Sequence, residues 1–262
     1  MLVGGCDVGS ATGKAVVMKD GTIVAHIIIP STTKPEATAR TAMDQAVAKA
    51  GLSSIESLGY IVGTGYGRLK IPFANENVSE ITCHARGAHW MSSEVRTVVD
   101  IGGQDCKVMS IDDTGKVLEF VMNDRCAAGT GRFFEAMARV LDCGLDGLSS
   151  LCLQGENPAT ISSQCSVFAE SEVVTLINEG VELSDIVAGL HDSVARRLNS
   201  MVRRVGLVED IALTGGCAKN EGLAKVLEGK LRVSVKKLPQ DPQIAGAVGA
   251  ALIAEGKLRE QS

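Results

Sequence analysis

At 262 residues, 45% of them hydrophobic, the chain can build one large or two modest cores. Its 26 basic and 31 acidic residues leave a net charge of −5 and its aromatics amount to 3%, so it lacks both the cationic footprint and the stacking platforms of a nucleic-acid binder. No basic segment leads into a long apolar one at the start, and no apolar run could span a bilayer, so a cytoplasmic protein away from membranes is expected. In that compartment eight cysteines argue for core thiols, metal ligands or redox sites and against a disulfide framework.

In chain order, an apolar strand ends at Asp7-Val-Gly9-Ser10, followed by Thr12, Lys14 and a β-branched hairpin turning at Asp20-Gly21. Residues 35–52 place Ala37, Ala42, Ala46, Val47 and Ala50 at helical spacing before Gly51. Residues 58–62 read as a short buried strand running into Gly63-Thr-Gly65-Tyr-Gly67-Arg68. That spacing is wrong for a dinucleotide fingerprint; it reads as a strand-end turn, with a supporting role at a cleft as the alternative. The first pattern then returns: a strand ends at Asp100-Ile-Gly102-Gly103-Gln104-Asp105, Lys107 follows, and a hairpin turns at Thr114-Gly115. In both copies the Lys stands seven positions after the Asp, which predicts two similar halves facing each other.

Beyond the second copy the chain is mainly helical. Phe133, Met137, Val140 and Leu141 share a stripe; residues 167–177 repeat apolar positions up to Gly180. Residues 186–205 form a longer helix whose Arg196, Arg197, Arg203 and Arg204 read as a solvated face. A strand then opens into Thr214-Gly215-Gly216, with Asn220 either against a ligand or capping the next helix. Ala245-Gly246-Ala-Val-Gly249-Ala-Ala is a helix of small residues able to pack very closely on a neighbour.

A strand-end Asp followed by glycines and hydroxyls points backbone N–H groups at phosphate oxygens; the Asp can hold hydrated Mg²⁺ and the Lys can neutralise charge. Two such turns facing each other would grip a polyphosphate. Cys126 and Cys165 each stand where an irregular Gly- or Ser-rich stretch becomes an apolar-periodic run, without a Cys-x-x-Cys. A helix N-terminus there would favour a thiolate and an anionic cluster on it. Two thiolates cannot fill a four-cysteine site, so as ligands they require a second copy of the chain, with zinc or an iron–sulfur cluster as the metal.

The order Asp7-x-Gly-Ser, Asp100-Ile-Gly-Gly-Gln-Asp, Leu213-Thr-Gly-Gly and the small-residue helix at Gly246 resembles the actin, Hsp70 and sugar-kinase superfamily. Within it, Asp100-Ile-Gly-Gly-Gln-Asp-x-Lys, Met122-Asn-Asp-x-Cys-Ala-Ala-Gly-Thr-Gly-x-Phe and Ser162-Ser-x-Cys-x-Val-Phe-Ala-Glu-Ser-Glu-Val are similar to the activators of 2-hydroxyacyl-CoA dehydratases, over nearly the whole chain. The resemblance implies an α/β, duplicated actin/Hsp70-like ATPase fold of two βββαβα-type domains around a nucleotide cleft. The expected division is 1–94 plus 245–262, and 95–244 carrying the cluster cysteines.

The implied function is ATP-driven delivery of one electron, taken from ferredoxin or flavodoxin, to a dehydratase. The carrier would be a [4Fe–4S] cluster bridging a homodimer through Cys126 and Cys165 of each subunit. Asp7 and Asp100 would hold Mg²⁺ through water, with Gly9, Ser10, Thr12, Lys14, Gly102, Gly103 and Lys107 around the phosphates of ATP or ADP. Gln104 and Asp105, beside Asp100, are candidates to orient the attacking water; Gly215, Gly216, Asn220 and Gln243 would lie against adenosine. The other six cysteines read as structural thiols. Rival readings are the ATPase subunit of a benzoyl-CoA-type reductase or another iron–sulfur activator, a small-molecule kinase, which leaves the cysteine motifs unexplained, and an Hsp70-like module, for which no peptide-binding domain is seen.

Overall fold

The computed structural model describes residues 1–123, 127–162 and 165–261. It contains two five-stranded mixed sheets of the same design. In the first, β1 (Leu2–Val8), β2 (Thr12–Lys19) and β3 (Thr22–Pro30) form an antiparallel meander, and β4 (Tyr60–Thr64) and β5 (Glu76–Asn77) add in parallel on the other side of β1. In the second, β6 (Thr97–Ile101), β7 (Cys106–Ile111) and β8 (Val117–Asn123) repeat the meander, and β9 (Ile211–Thr214) and β10 (Val235–Lys236) repeat the parallel pair. The duplication expected from the two Asp-x-Gly segments is therefore a duplication of whole sheets. Asp20 and Gly21 both take positive φ, 49° and 75°, which closes the first hairpin as the twist-matched two-residue type I′ turn.

Helices separate and cover the sheets. α1 (Pro35–Lys49) lays Ala39, Ala42, Met43 and Ala46 against Cys6, Ala15 and Val17 on the outer face of the first sheet. α2 (Glu80–Met91) and α8 (Ala245–Glu260) fill the space between the sheets, where Val3 and Val16 of one and Val98, Met109 and Ala212 of the other join their core. Strand residues on the opposite pleat, Val99, Ile101 and Val108, face α3 (Gly131–Val140), α4 (Leu145–Gln154), α5 (Ser166–Asn178), α6 (Leu183–Val205) and α7 (Glu221–Leu231). Alternate residues of one strand thus serve two different cores.

The small-residue helix packs as its composition suggests. A Cβ built on Gly249 of α8 would lie 1.8 Å from the Cys83 carbonyl oxygen of α2, and one on Gly5 of β1 would lie 2.0 Å from the Ala247 oxygen. Backbone touches backbone at both places. No described helix is long and apolar enough to cross a membrane.

Candidate functional site

A cleft of about 650 Å³ collects the nucleotide and catalytic residues read from the sequence: Asp7, Gly9, Ser10, Thr12 and Lys14 from the first meander, Asp100, Gly102, Gly103, Gln104, Asp105 and Lys107 from the second, and Gly215, Gly216, Asn220 and Gln243. The seven-residue offset has a simple cause. Each antiparallel hairpin sets the Asp opposite the Lys, Asp7 against Lys14 and Asp100 against Lys107. Lys14 Nζ lies 3.2 Å from Asp7 Oδ2, and Lys107 Nζ lies 3.4 Å from Asp100 Oδ2 and 2.8 Å from Asp105 Oδ2. All four members of the two Asp–Lys pairs are at least nine-tenths buried, an arrangement in which removing one partner strands the other's charge.

Both turns close alike. Gly9 donates its N–H to the Thr12 carbonyl at 3.0 Å, and Gly102 donates to the Asp105 carbonyl at 2.9 Å. The correspondence reaches the parallel strands, where Thr64 is in register with Asp7 and Thr214 with Asp100. Gly65 and Gly215 follow with φ of 89° and 84°. A Cβ on Gly65 would meet Asp7 Oδ1 at 2.3 Å and one on Gly215 would meet Asp100 Oδ1 at 2.7 Å, so neither position tolerates a side chain. Gly65 is both the strand-end turn expected and part of the cleft wall.

Charge in the second turn is balanced internally. Burial alone would push the Asp100 carboxyl up, but His84, Lys107 and Lys14 and the Thr214 hydroxyl outweigh it and hold the group below the usual carboxylate range. For Lys107 burial works against the ammonium, yet Asp100 and Asp105 raise its pKa above that of an ordinary lysine. Asp105 is thus engaged by Lys107, while Gln104 is exposed on the cleft.

Across the cleft, Gln243 Nε2 donates to Thr12 Oγ1 at 3.3 Å and ties the start of α8 to the first turn. Asn220 takes the capping role foreseen for it. It lines the cleft and N-caps α7, its Oδ1 accepting from Leu223 N at 2.9 Å, while its Nδ2 meets the buried His191 Nε2 at 2.9 Å.

Several cleft residues were not legible beforehand: His84, Glu80 and Arg68, the last two joined at 2.7 Å, and Tyr66, Phe134, Ser149 and Cys217. Arg68 carried a signal in its glycine-rich neighbourhood. His84 carried none, because a lone histidine among alanines on a buried helix face reads as core.

Cys126 lies outside the described residues. Cys165 is exposed and is the N-cap of α5, where the positive end of the helix dipole suits an anionic ligand. Gly129, at φ 87°, leaves its side of the other segment without a side chain. The donor that is described, one exposed cysteine sulfur at a helix N-terminus, fits an anionic sulfur-ligated group in its chemistry. Among the described residues, no three His, Cys, Asp or Glu side chains group into a metal site. The segment leading to Cys165 is tied from two helices, with Ser162 N donating to Glu172 Oε2 at 2.9 Å and Arg196 Nη2 donating to the Ile161 carbonyl at 2.8 Å. The expected solvated face of α6 needs correcting at one position, Arg197, while Arg196, Arg203 and Arg204 are exposed. Arg196 holds a loop, and Arg197 is half-buried, its Cδ 3.4 Å from where a Gly129 Cβ would sit.

Burial pushes the thiols of Cys83 and Cys217 up to about 12 and those of Cys106 and Cys152 to about 11, so these cysteines stay protonated.

One further contact links the two kinds of motif. The first amides of α3 donate to the turn that follows Asp100, Gly131 N to the Gly102 carbonyl and Arg132 N to the Gly103 carbonyl, both at 2.9 Å. α3 is the helix that follows the Cys126 segment.

Comparison with known proteins agrees with this layout. Over 251 residues the chain is 47% identical to the activator of lactoyl-CoA dehydratase from Anaerotignum propionicum, covering 95% of this chain and 96% of that one. Its fold superposes on the activator of the 2-hydroxyisocaproyl-CoA dehydratase from Clostridium difficile with bound ADPNP, at a TM-score of 0.93 and 40% identity over 100% of this chain and 97% of that one. It superposes equally on component A of the (R)-2-hydroxyglutaryl-CoA dehydratase of Acidaminococcus fermentans, at a TM-score of 0.94 and 40% identity, with 99% of each covered. Residues 5–254 match the model of the BadF/BadG/BcrA/BcrD ATPase family, and the chain belongs to that family.

Proposed function

We propose that this ATPase is an activator that spends ATP to deliver one electron to an iron–sulfur partner enzyme, a 2-hydroxyacyl-CoA dehydratase. The observation that carries the reading is the pair of hydrogen bonds from Gly131 and Arg132 to Gly102 and Gly103. They join a phosphate-binding turn directly to the helix behind one cluster cysteine, so a change in the turn is felt at that cysteine's segment. The likeness to dehydratase activators supports the same partner class.

In this reading the chain divides into 1–94 plus 245–262, and 95–244. Asp7 and Asp100 hold Mg²⁺ through water, and Gly9, Ser10, Thr12, Lys14, Gly102, Gly103 and Lys107 bind the phosphates. Gln104 orients the attacking water, with Asp105 held beside it by Lys107, and Gly215, Gly216, Asn220 and Gln243 face adenosine. Cys126 and Cys165 of two copies together hold one [4Fe–4S] cluster, which supplies a one-electron carrier when bound. Val167 and Phe168, 68% and 65% exposed immediately after Cys165, are apolar surface of the kind a second copy would cover. Ferredoxin or flavodoxin supplies the electron.

Anaerobic purification with iron and sulfide analysis and a visible spectrum tests the cluster. Wild type is expected to be brown with four irons per dimer, and the Cys126→Ser, Cys165→Ser double variant colourless. Iron-free wild type after anaerobic reconstitution would sink the cluster. Asp100→Ala is expected to abolish ATP hydrolysis while keeping the iron; undiminished hydrolysis would remove Asp100 from its role.

A further inference from the structure

Resting on the ATPase reading above, we infer that His84 is a positioning residue for hydrolysis: from α2, between the sheets, it fixes Asp100, which leads into the second turn, and Thr214 beside it at the end of β9. The imidazole is 5% exposed. Its Nδ1 lies 3.2 Å from Asp100 Oδ1 and 3.0 Å from Thr214 Oγ1, and Thr214 Oγ1 itself donates to Asp100 Oδ1 at 3.1 Å.

These three contacts determine where the protons sit. The ionised Asp100 carboxylate only accepts, and the Thr214 hydroxyl has one proton, given to Asp100. His84 Nδ1 must therefore carry a hydrogen, shared between the carboxylate and the threonine oxygen. The ring is anchored at Nδ1, and its other nitrogen faces the first half of the molecule. A Cβ built on Gly246 would lie 2.8 Å from His84 Nε2 and 3.0 Å from Asp7 Oδ2. The imidazole thus occupies the ground between the two aspartates, in room that a glycine at 246 leaves open.

α2 owes its position to the glycine contacts with α8, since a Cβ on Gly87 would lie 1.9 Å from the Ala245 oxygen and one on Gly249 would lie 1.8 Å from the Cys83 oxygen. His84 is therefore mounted on a rigid pair of helices and reaches the carboxylate of the opposite sheet. Its work is done through Asp100: it removes rotational freedom from the group that places the Mg²⁺ waters, and it does so from the side opposite Lys107.

The test compares His84→Leu, which removes the donor, with His84→Asn, whose side-chain amide restores a donor near Nδ1. Steady-state ATP hydrolysis is measured against Mg²⁺ concentration, with unfolding midpoints as the control for folding. Losing a hydrogen bond to a charged group predicts a fall in kcat of about 10- to 100-fold for His84→Leu, with the half-saturating Mg²⁺ concentration raised. His84→Asn should recover most of both. Wild-type kcat and Mg²⁺ dependence in His84→Leu would overturn the inference; so would equal loss in both variants when both are folded, since the ring itself and not its Nδ1 donor would then matter. Should His84→Leu fail to fold, Thr214→Val removes the other donor to the same oxygen and must raise the Mg²⁺ requirement in the same way. A wild type that hydrolyses no ATP defeats the ATPase reading instead. The positioning role is then read by calorimetry of Mg²⁺·ADP, where His84→Leu must bind more weakly than His84→Asn and equal affinities would refute it.

Discussion

Two glycines of α8 should respond to alanine with opposite signs. In an isolated helix Gly→Ala stabilises by about 1 kcal/mol, because alanine has less backbone entropy to lose. Gly256 is exposed, with nothing within 4 Å of a built Cβ, so that gain should stand there. At Gly249 the Cβ would lie 1.8 Å from the Cys83 oxygen, 2.6 Å from its carbonyl carbon and 2.8 Å from its Cα. Carbon contacts become favourable only near about 3.5–4 Å, and no rotamer change can move a main chain aside. α8 and α2 must separate, and the Gly87 contact on the same helix pair opens with them. Overpacking of this kind costs about 1–3 kcal/mol and more where only backbone can yield, which exceeds the propensity gain. The expected net change is a destabilisation of about 2 kcal/mol for Gly249→Ala. At about 2–4 °C per kcal/mol for a chain of this size, the melting temperature should fall by roughly 4–8 °C. Thermal and urea unfolding of both variants under reducing conditions makes the comparison. Gly249→Ala as stable as the wild type, with Gly256→Ala stabilised as expected, would refute the close approach of α2 and α8.

Gly215→Ala should cripple nucleotide binding. Its φ of 84° and the 2.5 Å gap between a built Cβ and the Ile101 oxygen force the turn away from Asp100, at a local cost of about 1–3 kcal/mol. Equilibrium binding of Mg²⁺·ATP should weaken about tenfold or more, and wild-type affinity would contradict the placement. His191 gives a pH dependence. Burial is the main influence and holds its pKa below the ordinary histidine value, with the contacts to Val187 and Asn220 opposing it in part. The folded state thus prefers the neutral ring, so the contribution to stability is complete above about pH 6.5 and is lost as pH falls through the lower folded value. Urea unfolding from pH 8 to pH 5 should show the stability of wild type falling relative to His191→Gln; a constant difference would exclude the linkage.

The parts of the site that the sequence disclosed share one property: their signal is local. The Asp-to-Lys offset is the imprint of one hairpin, and within a hairpin sequence distance fixes spatial pairing, so Asp7–Lys14 and Asp100–Lys107 could be read without a structure. Gly249 was legible because close helix packing demands small residues in a row. Gly65 was not matched to Gly215, since their strands share only a Thr-Gly step and their common role appears when each is set beside its own aspartate. His84 and Thr214 are 130 positions apart and meet through the packing of α2 on the second sheet, for which neither neighbourhood holds a pattern. Arg197 looked like solvent-facing charge because helical periodicity reports which face is wet and is silent on a loop packed against it, here the one holding Gly129.

The start of α3 illustrates how a local rule fails for a reason connected with function. Thr130 occupies the N-cap position, where a threonine ordinarily accepts a hydrogen bond from the first turn of its helix. Here its hydroxyl donates backwards, to the Ala127 carbonyl at 2.6 Å, and makes no cap. The first two donors of the helix, on Gly131 and Arg132, are satisfied by the carbonyls of Gly102 and Gly103. The helix is capped by the phosphate turn. Each peptide unit of that turn then has two duties, its N–H side available to a phosphate and its C=O side holding α3. Two hydrogen bonds at about 1 kcal/mol each set the scale of coupling this joint can transmit at about 2 kcal/mol, inside the range of about 1–3 kcal/mol typical between linked sites. In the proposed reading, a nucleotide that reorients the turn would strain α3's cap. Because Ala127 accepts from Thr130, that strain would pass to Ala127 without any long-range relay.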